Sequence, residues 1–163
     1  MTPKAKSYPN WDGLDGHVGG HYLTAMAINA AMGDKACKER MEYFISELQA
    51  CADANAKNHP EWGKGYVGGV PGSDRIWSAY KKGDFGAYSG AWVPFYNIHK
   101  MYAGLRDAWV YCGNEQAKKL FLGFCDWAID LTAGLTDEQV ERTLHTEHGG
   151  MNEVLADAYA IKI

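Results

Sequence analysis

Several classes of function lose support from what this chain of 163 residues has little of. It has no basic patch. Its 16 Lys and Arg residues are scattered among 20 Asp and Glu for a net charge of −4, so neither nucleic acid nor an anionic membrane surface is an expected partner. It has no apolar run that could cross a bilayer. A long uncharged stretch, from near Val18 to Met32, spans about 15 residues and is broken by Gly19–Gly20, where a spanning helix needs about 20. The opening MTPKAKSYPNWDG lacks the apolar segment of an export signal, which leaves the compartment open. Its four cysteines form no CxxC pair and are too sparse for a disulfide framework. Cys37, Cys51 and Cys125 fall on apolar helical stripes, so reduced, buried thiols are expected.

What is present is helical periodicity on a composition, 47% apolar, that fits one domain with a real core. Over 34–57, Cys37, Met41, Phe44, Ile45, Leu48 and Cys51 recur at three- and four-residue steps with Lys38, Glu39, Glu42 and Glu47 opposite, which predicts an amphipathic helix capped by Asp34. Over 114–132, Ala117, Leu120, Phe121, Phe124, Cys125 and Ala128 repeat the pattern, with Asn114 as the cap. The two segments are related: AAMGDKACKERMEYFISELQAC from 30 and VYCGNEQAKKLFLGFCDWAIDL from 110 align without a gap. Each follows a less charged helical segment, 21–32 and 98–112. A third such segment, 151–161, begins another unit.

A helix with few charges around its circumference belongs inside, and stacked hairpins bury each other's apolar helices. The fold class expected is therefore all-α, with an inner layer (21–32, 98–112, 151–161) and an outer layer (34–57, 114–132), part of an α/α toroid. The chain reads as one domain over 1–163 that belongs to something larger, and its exposed apolar surface would favour self-association. Residues 58–95, rich in Gly and aromatics, read as a long insertion of the functional-loop kind. LTDEQVERTL at 135–144 reads as a short helix with a Thr136/Gln139 capping box.

Polar residues gather just before each inner helix. WDGLDGHVGGHYL at 11–23 carries His17 and His21, WVPFYNIHK at 92–100 carries Tyr96, Asn97, His99 and Lys100, and TEHGGMNE at 146–153 carries Glu147, His148, Asn152 and Glu153. Singly, each set is no more than caps and turns. If the inner helices run parallel, all three converge at one end of the layer, where binding chemistry is usually built. His17 and His21 have metal-ligand spacing, but Gly19–Gly20 argue against a helix there and no third ligand is near, so no metal is assigned in this chain. His99 would satisfy a carbonyl or donate to a ligand, while Lys100 reads as solvated. Glu147 and Glu153 have the makings of a glycosidase carboxylate pair, with Glu153 desolvated at the mouth of a buried helix and Asn152 suited to a sugar hydroxyl. Six Trp and ten Tyr residues supply flat faces for a sugar ring.

GHVGGHYL, GGVPG, WVPFYNIHKMYAGLRDA and EHGGMNEVLADAYAI, in this order, resemble the N-terminal part of the β-L-arabinofuranosidases of glycoside hydrolase families 127 and 146, from about Trp11 to Ile161. The resemblance implies an (α/α)6 barrel, a carbohydrate substrate and release of terminal β-L-arabinofuranose. It implies that His21, His99 and the EHGGMNE segment, with Glu147, His148 and Asn152, border the sugar, with Glu153 as general acid/base; His17, Tyr96 and Asn97 join them as substrate-binding candidates from the clustering of polar residues. The family's nucleophile is a cysteine in a zinc site with further cysteines and a glutamate. The resemblance places those motifs beyond Ile163, and none of the four cysteines here has that context. Two other readings stay open: a non-catalytic helical repeat that binds protein or glycan, and another sugar-handling α/α barrel such as an epimerase or lyase.

Overall fold

The structure, a computed structural model, describes residues 14–144, 147 and 150–162. Eight helices account for most of them: α1 (Asp15–Ala31), α2 (Lys35–Asn58), α3 (Ser73–Tyr80), α4 (Gly86–Ser89), α5 (Pro94–Cys112), α6 (Glu115–Thr132), α7 (Asp137–Leu144) and α8 (Gly150–Lys162). No strand occurs among the described residues.

The two hairpins α1–α2 and α5–α6 are built alike, as the alignment predicts. Each turns at a glycine with left-handed backbone, Gly33 at φ 99° and Gly113 at φ 64°, a conformation that costs other residues steric strain. The next residue caps the outer helix. Asp34 accepts from Cys37 N at 3.0 Å and Asn114 accepts from Ala117 N at 2.8 Å, satisfying one of the donors that a helix start leaves free. The expected capping box also forms, with Thr136 N donating to Gln139 Oε1 and Gln139 N to Thr136 Oγ1.

α1, α5 and α8 make the inner layer, with α2 and α6 outside it. Contacts between α1 and α5 advance together along both helices: Gly16 meets Asn97, Gly20 meets Lys100, and Leu23 meets Gly104. Cys112 and Ala27 continue the series through a thiol-to-carbonyl contact. The helices are therefore parallel, and their N-termini lie at one end. Gly20 makes this close approach possible, since a Cβ there would stand 2.1 Å from the carbonyl carbon of Lys100. This glycine pair had argued against helix at 19–20. Tertiary packing reverses that expectation, because removing side chains lets the two backbones meet along a continuous helix.

The segment 58–95 also departs from its reading as a functional surface loop. It folds into α3 and α4 and buries Trp62, Tyr66, Val67, Ile76, Trp77, Tyr80 and Tyr88. Trp77 lies 5.1 Å from Trp127 of α6 and 5.8 Å from Phe95 of α5, ring centre to ring centre. Trp127 Nε1 donates to Trp62 O at 2.8 Å, and Tyr102 stacks on Phe124 at 3.9 Å. Each large ring buries on the order of 200 Å², a gross transfer gain of about 5 kcal/mol. The glycines and aromatics of this insertion are core material. Cys125 is buried as expected and Cys37 and Cys112 are half-buried, but Cys51 is exposed. The stripe that faces the core is Met41, Ile45, Leu48 and Ala52, and one residue's step turns Cys51 away from it.

Candidate functional site at the open end of the inner layer

Parallel inner helices bring the three polar clusters to the same end, and Tyr96 organises what meets there. It lies in the first turn of α5, whose N-cap position is Val93, a side chain that cannot cap; Pro94 follows it. Glu147 does the capping from 51 residues away: its Oε2 accepts from Tyr96 N at 2.6 Å. On the other side, Tyr96 O accepts from His17 Nδ1 at 2.9 Å and from His99 Nδ1 at 2.7 Å. A carbonyl oxygen only accepts, so both imidazoles carry a proton on Nδ1. His17 also stacks on the Tyr96 ring, centres 4.4 Å apart and 19° from parallel, and meets His99 edge-on at 5.4 Å.

His21, one helical turn after His17, approaches it Nε2 to Nε2 at 3.1 Å, so one proton is shared between the two rings. Partial burial, with His17 and Lys100 as neighbours, holds the pKa of His21 below its ordinary value. Burial likewise lowers that of His99. Lys100 and His17 add to the effect, while the Tyr96 carbonyl and Glu153 oppose it. A neutral His99 with Nδ1 committed to a carbonyl keeps Nε2 as an acceptor. Such a group is suited to a hydroxyl.

The third cluster is reached through α8. Gly150 lies against the His99 ring, where a Cβ would come within 2.7 Å of its carbons. Glu153 is one turn further on, and it and Asn152 are exposed. The desolvation expected for Glu153 is thus not found in this chain. Of Glu147 and Glu153, the buried one is Glu147, 6% exposed. Burial raises its pKa, opposed by the hydrogen bond from Tyr96 N and by the nearby Tyr88 hydroxyl. The Tyr88 hydroxyl and Glu147 Oε1 nevertheless do not complete a bond of good geometry. Asn97, expected to border a ligand, is enclosed between α1 and the insertion, its amide 3.5 Å from Gly69 O. His148 lies outside the described residues.

A cavity of about 380 Å³ lies beside this cluster, between the start of α5, the second half of α6, α7 and the start of α8. Val93, Phe95, Ile129, Val140 and Leu155 make it mainly apolar. Tyr96, Glu147 and Asn152 line it; His17, His21 and His99 do not. The predicted residues therefore divide: Tyr96 borders both regions, the histidines lie on one side of it, and Glu147 reaches the other. Among the described residues, no group of three or more His, Cys, Asp or Glu is gathered to hold a metal ion.

Sequence reasoning missed the main-chain role of Tyr96 and the remote cap. One signal was available. A helix that starts Val-Pro has no local acceptor for its first amides, so an acceptor from elsewhere is needed.

An inner layer of parallel helices, two of them joined to an outer one by a glycine turn, defines an all-α protein of the α/α-toroid class. Residues 1–162 match the family model described as β-L-arabinofuranosidase, GH127 catalytic domain, and the chain belongs to that family of glycoside hydrolases. No curated protein matches the chain. The family acts on carbohydrate, and no helix among the described residues is long and apolar enough to cross a membrane.

Proposed function

We propose that this chain supplies one wall of the sugar pocket of a hydrolase that releases terminal β-L-arabinofuranose, as the N-terminal part of a larger α/α barrel. The observation that carries the reading is the convergence of His17, His21, Tyr96, His99 and the first turn of α8 at one end of three parallel helices. Imidazole nitrogens at fixed orientation suit hydroxyl recognition, and the exposed face of Tyr96 suits stacking on a sugar ring. Glu153, exposed beside His99, is the candidate to give and take the proton at the glycosidic oxygen. Glu147, Asn152 and the enclosed Asn97 shape the pocket from behind or beside it. The nucleophile and zinc of the family are expected on other residues than those described here.

The test uses the hydrolase that contains this chain and an aryl β-L-arabinofuranoside. Glu153→Gln is expected to abolish most turnover, roughly 100-fold or more for loss of a proton donor, while the sugar still binds. Unchanged turnover would remove Glu153 from the mechanism. His99→Ala is expected to raise KM, and an unchanged KM would take the histidine cluster out of the pocket.

A further inference from the structure

Two turns below the histidine cluster, a polar chain crosses all three inner helices. Asp107 of α5 is buried, and its Oδ2 accepts from Thr24 Oγ1 of α1 at 2.8 Å. Its Oδ1 accepts from Arg106 Nε at 3.1 Å and Nη2 at 2.8 Å. Arg106 Nη1 in turn donates to Asp157 Oδ2 of α8. One guanidinium thus bridges a carboxylate already fixed to α1 and a carboxylate on α8, the fork geometry that arginine provides and lysine does not.

The contacts that α8, and Glu147 shortly before it in the chain, make with α5 have a common offset. Glu147 meets Tyr96, Gly150 meets His99 and Asp157 meets Arg106, each pair 51 residues apart in sequence. From Gly150 to Asp157, as from His99 to Arg106, is about two turns, so these contacts lie along one face of each helix. The apolar contacts of α8 cannot fix that alignment alone. Its buried hydrophobic positions are Val154 and Ala158, two modest side chains one turn apart. Sliding α8 by one residue would rotate it by about 100° and carry Glu153 away from His99. A partly buried ion pair is better suited to setting register than to adding stability.

We propose that Arg106 is a positioning residue that sets the register of α8 on α5 and so holds Glu153 beside His99. The importance of that placement rests on the sugar-pocket reading, but the placement itself can be tested without substrate. Four charged or titratable neighbours bear on His99: His17 and, beyond it, His21 from α1, Lys100 from α5, and Glu153 from α8.

The experiment is an NMR titration of the His99 imidazole in the full chain, comparing wild type with Glu153→Gln, Arg106→Gln and the double variant. Glu153→Gln removes a neighbouring negative charge and lowers the His99 midpoint. Arg106→Gln is expected to lower it by a similar amount, and the double variant to fall no further than either single change. Loss of the arginine's positive charge acting only through space would raise the midpoint, the opposite sign. Should Arg106→Gln fail to fold, Asp157→Asn breaks the same bridge with little change of volume; it is expected to lower the midpoint, and to add nothing in the Glu153→Gln background, where a lost charge acting only through space would still lower it. Arg106→Lys is expected to recover part of the loss. A midpoint that rises or stays fixed in the Arg106 and Asp157 variants, or a Glu153→Gln effect that persists undiminished beside Arg106→Gln, overturns the proposal. If Glu153→Gln leaves arabinofuranoside turnover intact, the catalytic reading fails while the titration still decides the role of Arg106.

Discussion

α1 and α5 are the same kind of helix in sequence, sparsely charged and each followed by a glycine turn and a capped amphipathic partner. Their burial differs sharply. α5 encloses ten residues, among them Ile98, Met101, Tyr102 and Leu105, whereas α1 encloses five and exposes Val18, Tyr22 and Ile28. The reason is position in the layer. α5 has α1 on one flank, α8 on the other, and α6 with the aromatic insertion behind it, while α1 meets α5 and α2. Apolar content made both helices eligible for the interior, and the number of flanking elements decided how much of each is covered.

Paired substitutions test that difference most directly. Tyr102→Ala on α5 removes a fully buried ring stacked on Phe124 and a hydrogen bond to its carbonyl, and should cost roughly 3–5 kcal/mol. Tyr22→Ala on α1 removes a partly exposed ring and should cost about 1 kcal/mol or less. Chemical denaturation of both variants measures the gap. Similar losses would mean that α1 is covered as well as α5 is.

Adjacent glycines sharpen the account of the α1–α5 seam. Gly20→Ala forces a methyl into the Lys100 backbone and should cost roughly 3 kcal/mol by overpacking. At Gly19 the nearest atom to an added Cβ is the mobile end of Met101 at 3.4 Å. Gly19→Ala should therefore be neutral or stabilising by up to about 1 kcal/mol from helix propensity. Thermal melts showing the reverse order would place the helix contact elsewhere. At the turns the two hairpins should behave alike: Asp34→Ala and Asn114→Ala each lose one capping bond, about 1 kcal/mol apiece. A large difference between them would break the equivalence of the hairpins.

The site end should also set a pH dependence. Glu147 has a raised pKa, so the folded chain holds its proton more tightly than the unfolded chain does, and its contribution to stability falls as pH rises from about the ordinary value of 4.5. His99 and His21 have lowered values, so their contribution is present above the ordinary 6.5 and is lost as pH falls through their folded-state pKa. Glu147→Gln keeps an acceptor for Tyr96 N and should flatten the curve on the side above 4.5. His99→Gln should flatten it on the side below 6.5. Melting temperature measured across this range checks both, and a curve unchanged by Glu147→Gln would contradict a costly buried carboxylate.

Much of the fold was legible because it rests on short-range rules. The 3.6-residue period of Met41, Ile45 and Leu48, the Gly33–Asp34 and Gly113–Asn114 turns, and the Thr136/Gln139 box each need only a few neighbouring residues. Errors came where distant parts meet. Gly19–Gly20 looked like a break until the Lys100 backbone filled the space, and the aromatic insertion looked like a loop until Trp77 found Trp127 and Phe95. Asn97 read as a ligand contact from its neighbours His99 and Tyr96, yet α1 and Gly69 enclose it. Glu153 was expected to be desolvated by helix burial, but of the two glutamates it is Glu147 that is buried.

By itself, then, the sequence determined the all-α class, the repeated hairpin, the caps and the motifs that mark the family. Those features depend on periodicity and on bonds within one or two turns, which the chain carries wherever it goes. Tertiary structure alone decided that Tyr96 would be shared by two imidazoles and a remote carboxylate, that α5 would be covered more fully than α1, and that Arg106 would meet Asp157. These depend on which helices lie side by side and at what offset, and no local pattern records a separation of 51 residues.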